Sequence, residues 1–358
     1  MSFLLPRRAK RLAAALAGIA VAAVALSACA GGTTETAGGE ASASTEGFGD
    51  ITLQLSWIFN EEFAGEYLAT ENGYYEEAGF DAVNLVPGPS GGVPELLGGT
   101  ADIALSDAVQ VGAAVANEGA PLKIIGATFQ ANPFTVLSLA DGGDIATPED
   151  LKGKKIGVQD SNLTLFNALL AANDIDASEV TIVPVQYDPA PLVNGEVDGF
   201  IAYLTNEAIS VEMEGLSTTN LPFAENGLPF VAETVTTTDE TIASNREMLK
   251  AFLVAEIKGW TDALADPQAG ADLALNTYGT DLDLDPAKTL AGSEAQNKLV
   301  VSDETEENGL FTISDALQQT TIESLAGAGI VLEASDLFDL SLLAEVYEEN
   351  PDLIAYAG

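Results

Sequence analysis

The chain has 358 residues, with 55 Asp and Glu against 13 Lys and Arg, no histidine and one cysteine. A surface this acidic repels nucleic acid and anionic lipid headgroups, so neither is a partner held by charge. Without histidine, and with a single thiol, the chain builds no disulfide framework, no Cys/His nucleophile and no zinc or iron site of the usual His/Cys type; no metal or cofactor is expected.

The N-terminus carries Arg7, Arg8, Lys10 and Arg11, then an apolar run over residues 12–26 that ends in Leu26-Ser27-Ala28-Cys29. The run is about 15 residues, short of the roughly 20 that span a bilayer. Basic, apolar and small-residue segments in that order predict a secretory signal peptide over residues 1–28. With a cysteine at the cut, the segment resembles a bacterial lipoprotein lipobox. That resemblance implies cleavage before Cys29, lipid on Cys29 and an extracytoplasmic protein anchored to the cell membrane through lipid. The alternative is an ordinary signal peptide with an incidental cysteine. Arg7-Arg8 also begins as a twin-arginine signal does, but Ala9-Lys10-Arg11 fits that signal poorly. The first 28 residues hold four of the bases and none of the acids, so nine bases face 55 acids in the mature chain. Such charge keeps a secreted protein soluble and monomeric. Residues 29–49 are mostly Gly, Ser, Thr, Ala and Glu and predict a flexible tether below the lipid.

The remaining body, around 310 residues, is long for one core and natural for two lobes. Residues 51–55 (ITLQL) alternate as a strand does, and residues 63–69 place Phe63, Tyr67 and Leu68 at helical spacing. Strands at 82–86, 101–105 and 122–127 alternate with helices starting at Pro94 and Ala108. After a helix start at Thr147-Pro148, a second series follows: strand 156–158, helix 163–172, strand 180–185, a short helix near 189–194 and strand 199–202. Residues 246–265 form one long amphipathic helix with Met248, Leu249, Phe252, Leu253, Ile257 and Trp260 on a stripe, and more helix follows. The alternation predicts an α/β protein of two lobes, each a mainly parallel sheet flanked by helices. Residues 51–138 and 232–358 make the first lobe and 139–231 an inserted second lobe.

In such sheets a ligand sits where strands end and helices begin. Trp57 directly follows the first strand, where it either stacks on a flat ligand or plugs the core. Asn60, in the same loop, either caps the next helix or offers a ligand both a donor and an acceptor. The turn at residues 87–92 (PGPSGG) can present backbone N–H groups to an anion, but no P-loop lysine follows and the spacing is not GxGxxG. Ser106 and Asp107 follow the third strand and either cap the next helix or reach the cleft. Tyr187, after strand 180–185, has an apolar body and a polar tip suited to a ligand wall. The most specific segment is residues 197–207, which delivers Tyr203, Asn206 and Glu207. Glu207 can accept from an exocyclic amine and a ring N–H, at a desolvation cost that only such donors offset. The alternative is Asn206 capping a helix with Glu207 in its first turn.

Residues 55–57 (LSW), 62–67 (EFAGEY), 72–81 (NGYYEEAGFD), 99–103 (GTADI), 119–122 (GAPL), 147–158 (TPEDLKGKKIGV) and 197–207 occur in the order found in solute-binding proteins of ABC importers. The chain resembles in particular the family that binds pyrimidine precursors of thiamine, strongly over about 50–210 and more loosely to about 275. Strand–helix–strand units and the DLKGKK element are shared with binders of sulfonates, nitrate and other solutes; the Trp57 element with Phe63-Ala64-Gly65 and the Asn206-Glu207 pair are more particular to the pyrimidine branch. The resemblance implies that Trp57 stacks on a pyrimidine, that Glu207 reads its aminopyrimidine edge with Tyr203 and Asn206 beside it, that Phe63 belongs to the site, and that a membrane permease is the partner. A eukaryotic branch makes the thiamine pyrimidine with an active-site histidine and a cysteine-rich iron motif; this chain has neither, so the resemblance implies a binder and not that enzyme. Ala208 stands where the family usually has proline, and residues 60–61 and 89–92 also depart from the common forms. The expected ligand is a formylaminopyrimidine or hydroxymethylpyrimidine; the alternatives are riboflavin, a sulfonate or another heteroaromatic solute, and, remotely, a secreted hydrolase using Asp160 or Asp107 with Glu207.

Overall fold

A computed structural model describes residues 47–356. The expected signal peptide at 1–28, the expected lipidation position Cys29 and the expected tether up to residue 46 lie outside the described residues. The last tether residues belong to the fold, not to a free linker. The Phe48 amide donates to Gly79 O at 2.8 Å, and its ring packs on Phe80 with centroids 5.3 Å apart. An apolar ring at the end of an otherwise polar stretch is what docks it.

Ten strands form two five-stranded sheets: β1 (Gly49–Gln54), β2 (Phe80–Val86), β3 (Ile103–Asp107), β4 (Leu122–Phe129), β5 (Phe134–Leu139), β6 (Lys155–Val158), β7 (Thr181–Pro184), β8 (Gly199–Tyr203), β9 (Thr218–Pro222) and β10 (Ala232–Thr238). The first sheet has the order β2-β1-β3-β10-β4 and the second β7-β6-β8-β5-β9. In each, four strands run one way and one runs against them, β10 in the first and β5 in the second. The register joins apolar positions: Leu53 faces Leu85 and Ile103, and Ile156 faces Ile182. Helices cover both sheets, giving the two-lobed architecture with mainly parallel sheets that the alternation predicts.

The lobe boundary at 138/139 needs correcting. It falls inside β5, where Val136 pairs with Ile201 and with Leu221 in the second sheet. The apolar run FTVLSL suits either lobe by composition, and only its pairing decides. The chain first crosses between sheets at residues 130–133 and returns before β10. The two crossings lie side by side, with the Asn132 amide donating to Phe230 O at 3.0 Å and its Nδ2 to Leu228 O at 2.8 Å. The sequence reading assigns no strand to β5, β9 or β10. These include the two reversed strands, and the threonine-rich β9 and β10 lack an apolar alternation.

The helix Arg246–Ala265 buries the whole expected stripe from Met248 to Trp260. It packs so closely on the helix Ala64–Glu71 that a side chain at Gly65 would meet the Trp260 ring. Trp260 is therefore core. The C-terminal helices continue the same lobe. Pro286–Val300 packs on β4 and the turn Glu61–Phe63, while Phe311 and Leu343 cover Gly126 of β4.

Candidate functional site

A cleft is lined by residues from both sheets. The first sheet contributes Ser56 and Trp57 after β1, Ser106 and Asp107 at the end of β3, and Glu233 in β10. The second contributes Phe134 from β5, Gln159, Ser161 and Asn162 after β6, and Ile201, Ala202 and Tyr203 of β8 with Asn206 and Glu207 after it. Most lie at strand ends, as the strand-to-helix rule requires.

Trp57 lines the cleft and is 9% exposed. Phe134 and Tyr203 form an aromatic pair in the same wall set, edge to face with centroids 4.5 Å apart and planes at 84°. Glu207 opens the helix Glu207–Met213; its Oε2 accepts from the Tyr203 amide at 2.9 Å and its Oε1 from Asn206 Nδ2 at 3.1 Å. Burial raises its pKa to about 6, against the lowering pull of the Tyr203 amide. Asn206 makes no side-chain cap. Its Oδ1 accepts from Lys288 Nζ, and Lys288 also donates to Glu61 Oε1 at 2.7 Å.

Ser106 lines the cleft while donating its Oγ to Gly91 O at 2.6 Å. Asp107 lines it too, but its carboxylate caps the helix Ala108–Glu118, accepting from the Val109 and Gln110 amides at 2.8 and 2.9 Å and from Gln110 Nε2 at 2.5 Å.

Three predicted residues fall outside the cleft lining. Asn60 is buried and its Oδ1 caps the turn Glu61–Phe63 through the Glu62 amide at 3.1 Å. Phe63 is wholly buried and packs edge-on against Tyr67, because the tight turn aims it into the core. Tyr187 is 41% exposed; it follows β7, an edge strand, whereas the cleft opens at the central strands. The segment at residues 87–92 is a tight turn, the reading its weak anion signal left favoured. Its Gly88 and Ser90 amides donate to Trp57 O and Ser56 O at 2.6 and 3.1 Å, so the turn braces the Trp57 loop, and Ser90 lines the cleft. Asp160 is exposed and absent from the lining.

Glu62 and Glu233 escaped the sequence reading. Both line the cleft and both are buried, 5% and 2% exposed. Glu233 Oε2 accepts from Ser56 Oγ at 2.9 Å and Oε1 from Tyr203 Oη at 3.1 Å. Burial lifts Glu233 to about 7, and burial together with the adjacent Glu233 charge lifts Glu62 well above the carboxylate range. A glutamate inside the otherwise uncharged strand AETVTTT was the available signal. Gln159, Ser161 and Asn162 were open to the strand-end rule used for the other loops.

A family model described as NMT1/THI5 like matches residues 60–270, more than half of the chain. The chain belongs to the NMT1/THI5-like family. Among curated relatives of this family member, a riboflavin-binding protein of Chloroflexus aurantiacus is 25% identical over 63% of the chain and 65% of the relative. A formylaminopyrimidine-binding protein of Halalkalibacterium halodurans is 25% identical over 82% of the chain and 88% of the relative. A 4-amino-5-hydroxymethyl-2-methylpyrimidine phosphate synthase of Schizosaccharomyces pombe is 29% identical over 61% of the chain and 66% of the relative. The match thus spans just under two thirds of the riboflavin binder and of the synthase. Of solved structures, a Bordetella bronchiseptica protein aligns with TM-score 0.69 at 17% identity, covering 84% of this chain and 98% of that one. A Candida albicans protein with the generic periplasmic binding protein fold aligns at 0.58 and 15%, covering 84% and 95%. The nitrate-binding protein of Synechocystis aligns at 0.61 and 14%, covering 86% and 91%. The NMT1/THI5-like chain therefore has the periplasmic binding protein fold.

Proposed function

We propose that the protein is the lipid-anchored, extracytoplasmic, monomeric binding component of an ABC importer, which closes two lobes on a flat heteroaromatic solute and delivers it to a membrane permease. The moving units are the two sheets with their helices, and the paired crossings at residues 130–133 and 223–231 are the hinge. The ligand best supported is a thiamine pyrimidine precursor of the formylaminopyrimidine or hydroxymethylpyrimidine type.

One observation carries this reading: Trp57, from the first sheet, and Glu207, from the second, line a single cleft with a buried carboxylate facing it. An indole face suits any flat ring, and a carboxylate beside it suits an amidine-like edge. The formylaminopyrimidine-binding relative supports the same ligand. The carboxylate pairs that the hydrolase reading names are not assembled in the cleft. Asp107 is spent on a helix cap, Asp160 lies outside the lining, and the sequence has no histidine for acid–base work. Riboflavin is the second reading, because a relative carries that ligand in its name.

The test is a calorimetric and fluorescence titration of the purified protein with an aminopyrimidine precursor, riboflavin and an alkanesulfonate. Trp260 is buried in the core, so a ligand-dependent change in tryptophan emission reports Trp57. Saturable aminopyrimidine binding is expected, weakened on the order of 10–100-fold by Trp57→Ala for every ligand. Glu207→Gln should weaken aminopyrimidine about tenfold or more while sparing rings without a donor edge. A response to riboflavin or sulfonate alone overturns the ligand, and turnover of the pyrimidine overturns the binding role.

A further inference from the structure

Against β3, strand β10 places Ala232 opposite Asp107 and Thr234 opposite Ser106, leaving Glu233 as the extra residue of a bulge with φ of 46°. A non-glycine residue in the left-handed region is strained and persists where the surroundings demand it. Bulges beside binding sites re-aim a side chain, and this one brings the Glu233 carboxylate into the cleft.

What meets it there is another acid. Glu62 lies against Glu233, carboxyl to carboxylate, and among the described residues no hydroxyl or N–H donor is aimed at the Glu62 side chain. Glu207 faces the same space, and Asp107 is turned into its helix cap. No lysine or arginine lines the cleft; Lys288 touches the lining residue Asn206 but is held by Glu61. A buried carboxylate pair without a counter-ion is costly, so the two groups share a proton. Among the described residues no three acids are arranged to hold a metal ion. Trp57, Phe134 and Tyr203 instead offer aromatic surface, on which a flat cation is stabilised.

We propose that the ligand occupies this cleft as a flat organic cation, a protonated or quaternised nitrogen heterocycle, with the Glu62–Glu233 pair as its counter-ion. This rests on the reading that the cleft is the ligand site and narrows it: neutral flavins and anionic sulfonates are disfavoured. The incoming positive charge replaces the shared proton, which leaves to solvent, so the charge in the cleft is conserved.

The test is calorimetry on the purified protein at pH 7.5 with 1-methyl-4-aminopyridinium and its neutral isostere p-toluidine. The cation should bind at least about tenfold more tightly, and its heat should vary with the ionisation enthalpy of the buffer, reporting release of a fraction of a proton to about one. Glu233→Gln and Glu62→Gln each leave a single carboxylate with no proton to share, so each should abolish most of the buffer dependence while keeping a cation preference; the double Gln variant should bring the ratio of the two affinities close to one. Equal affinities in the wild type, a cation preference that survives in the double variant, or binding of neither probe overturns the proposal. Competition with an aminopyrimidine separates the two readings. A cation that binds with this dependence and is not displaced by aminopyrimidine leaves this proposal standing and removes the pyrimidine ligand.

Discussion

Asn60 and Glu207 are both buried polar side chains on strand-to-helix turns, yet their partners give them different work. Asn60 is consumed by the Glu62 amide, so it holds a turn. Glu207 is held by the Tyr203 amide and Asn206 Nδ2, each oxygen keeping a lone pair free toward the cleft. With its pKa raised to about 6, Glu207 loses its proton as pH rises from 5 to 7. Only the carboxylate accepts from both donors of an amidinium-like edge, an exocyclic amine beside a protonated ring nitrogen. Affinity for a ring that stays protonated across pH 5 to 7 should therefore climb severalfold over that interval, and Glu207→Gln should remove the part of the rise centred near pH 6. Calorimetric affinities at four or five pH values check this; an unchanged profile in the variant would show that Glu207 does not contact the ring. Trp57, Tyr203 and Glu207 were legible because each follows a strand whose apolar pattern is plain. Phe63 and Tyr187 were not, since a tight turn and an edge strand turn them away from the cleft.

At the scale of elements, the helix Pro286–Val300 matters for one side chain. Lys288 donates to Glu61 on the first-sheet side and to Asn206 on the second, and Asn206 in turn donates to Glu207. This chain of contacts links the two lobes beside the cleft and holds the Glu207 carboxylate that lines it. Lys288→Met leaves Glu61 buried without its counter-charge, a loss of about 3–5 kcal/mol of stability. Adding Glu61→Gln removes that charge and should recover most of the stability, read as Tm. It does not rebuild the contact to Asn206, so affinity for a donor-edged ring should stay reduced on the order of tenfold. Full recovery of affinity in the double variant would reduce Lys288 to a structural counter-ion. Nothing in the sequence marked this residue, because 227 positions separate it from Glu61 and 82 from Asn206.

For the whole molecule, the buried acids couple stability to pH. Glu66 and Glu256 lie between the helices Ala64–Glu71 and Arg246–Ala265, each with one unpartnered carboxyl oxygen. Burial raises both, Glu66 further through the Glu256 charge, and Glu256 stands at about 8 with Tyr75 Oη donating to it. Their folded values exceed the unfolded ones, so the folded state holds more protons between about pH 4.5 and 8. Stability from these groups is present below pH 4.5 and is lost as pH rises through 8. The excess of acidic residues acts in the same direction through self-repulsion. Tm should fall by roughly 5–10 °C from pH 5 to pH 8. Glu256→Gln should flatten the fall, and salt should raise Tm most at the alkaline end by screening the surface. A Tm that rises over this interval would contradict the assignment of protons to the buried acids.

The sequence by itself determined the α/β alternation, the long buried helix and the loops that reach the cleft, because these depend on local periodicity and on which residues follow an apolar strand. Tertiary structure alone decided the rest. Whether β5 joins the first or second sheet is set by pairing partners across tens of residues, not by its apolar composition. Glu233 enters the cleft through a bulge that exists only when β10 lies against β3. Lys288 reaches Glu207 through Asn206 only once two lobes meet. Each is a long-range contact, and side-chain identity at one position carries no record of the partner that folding brings beside it.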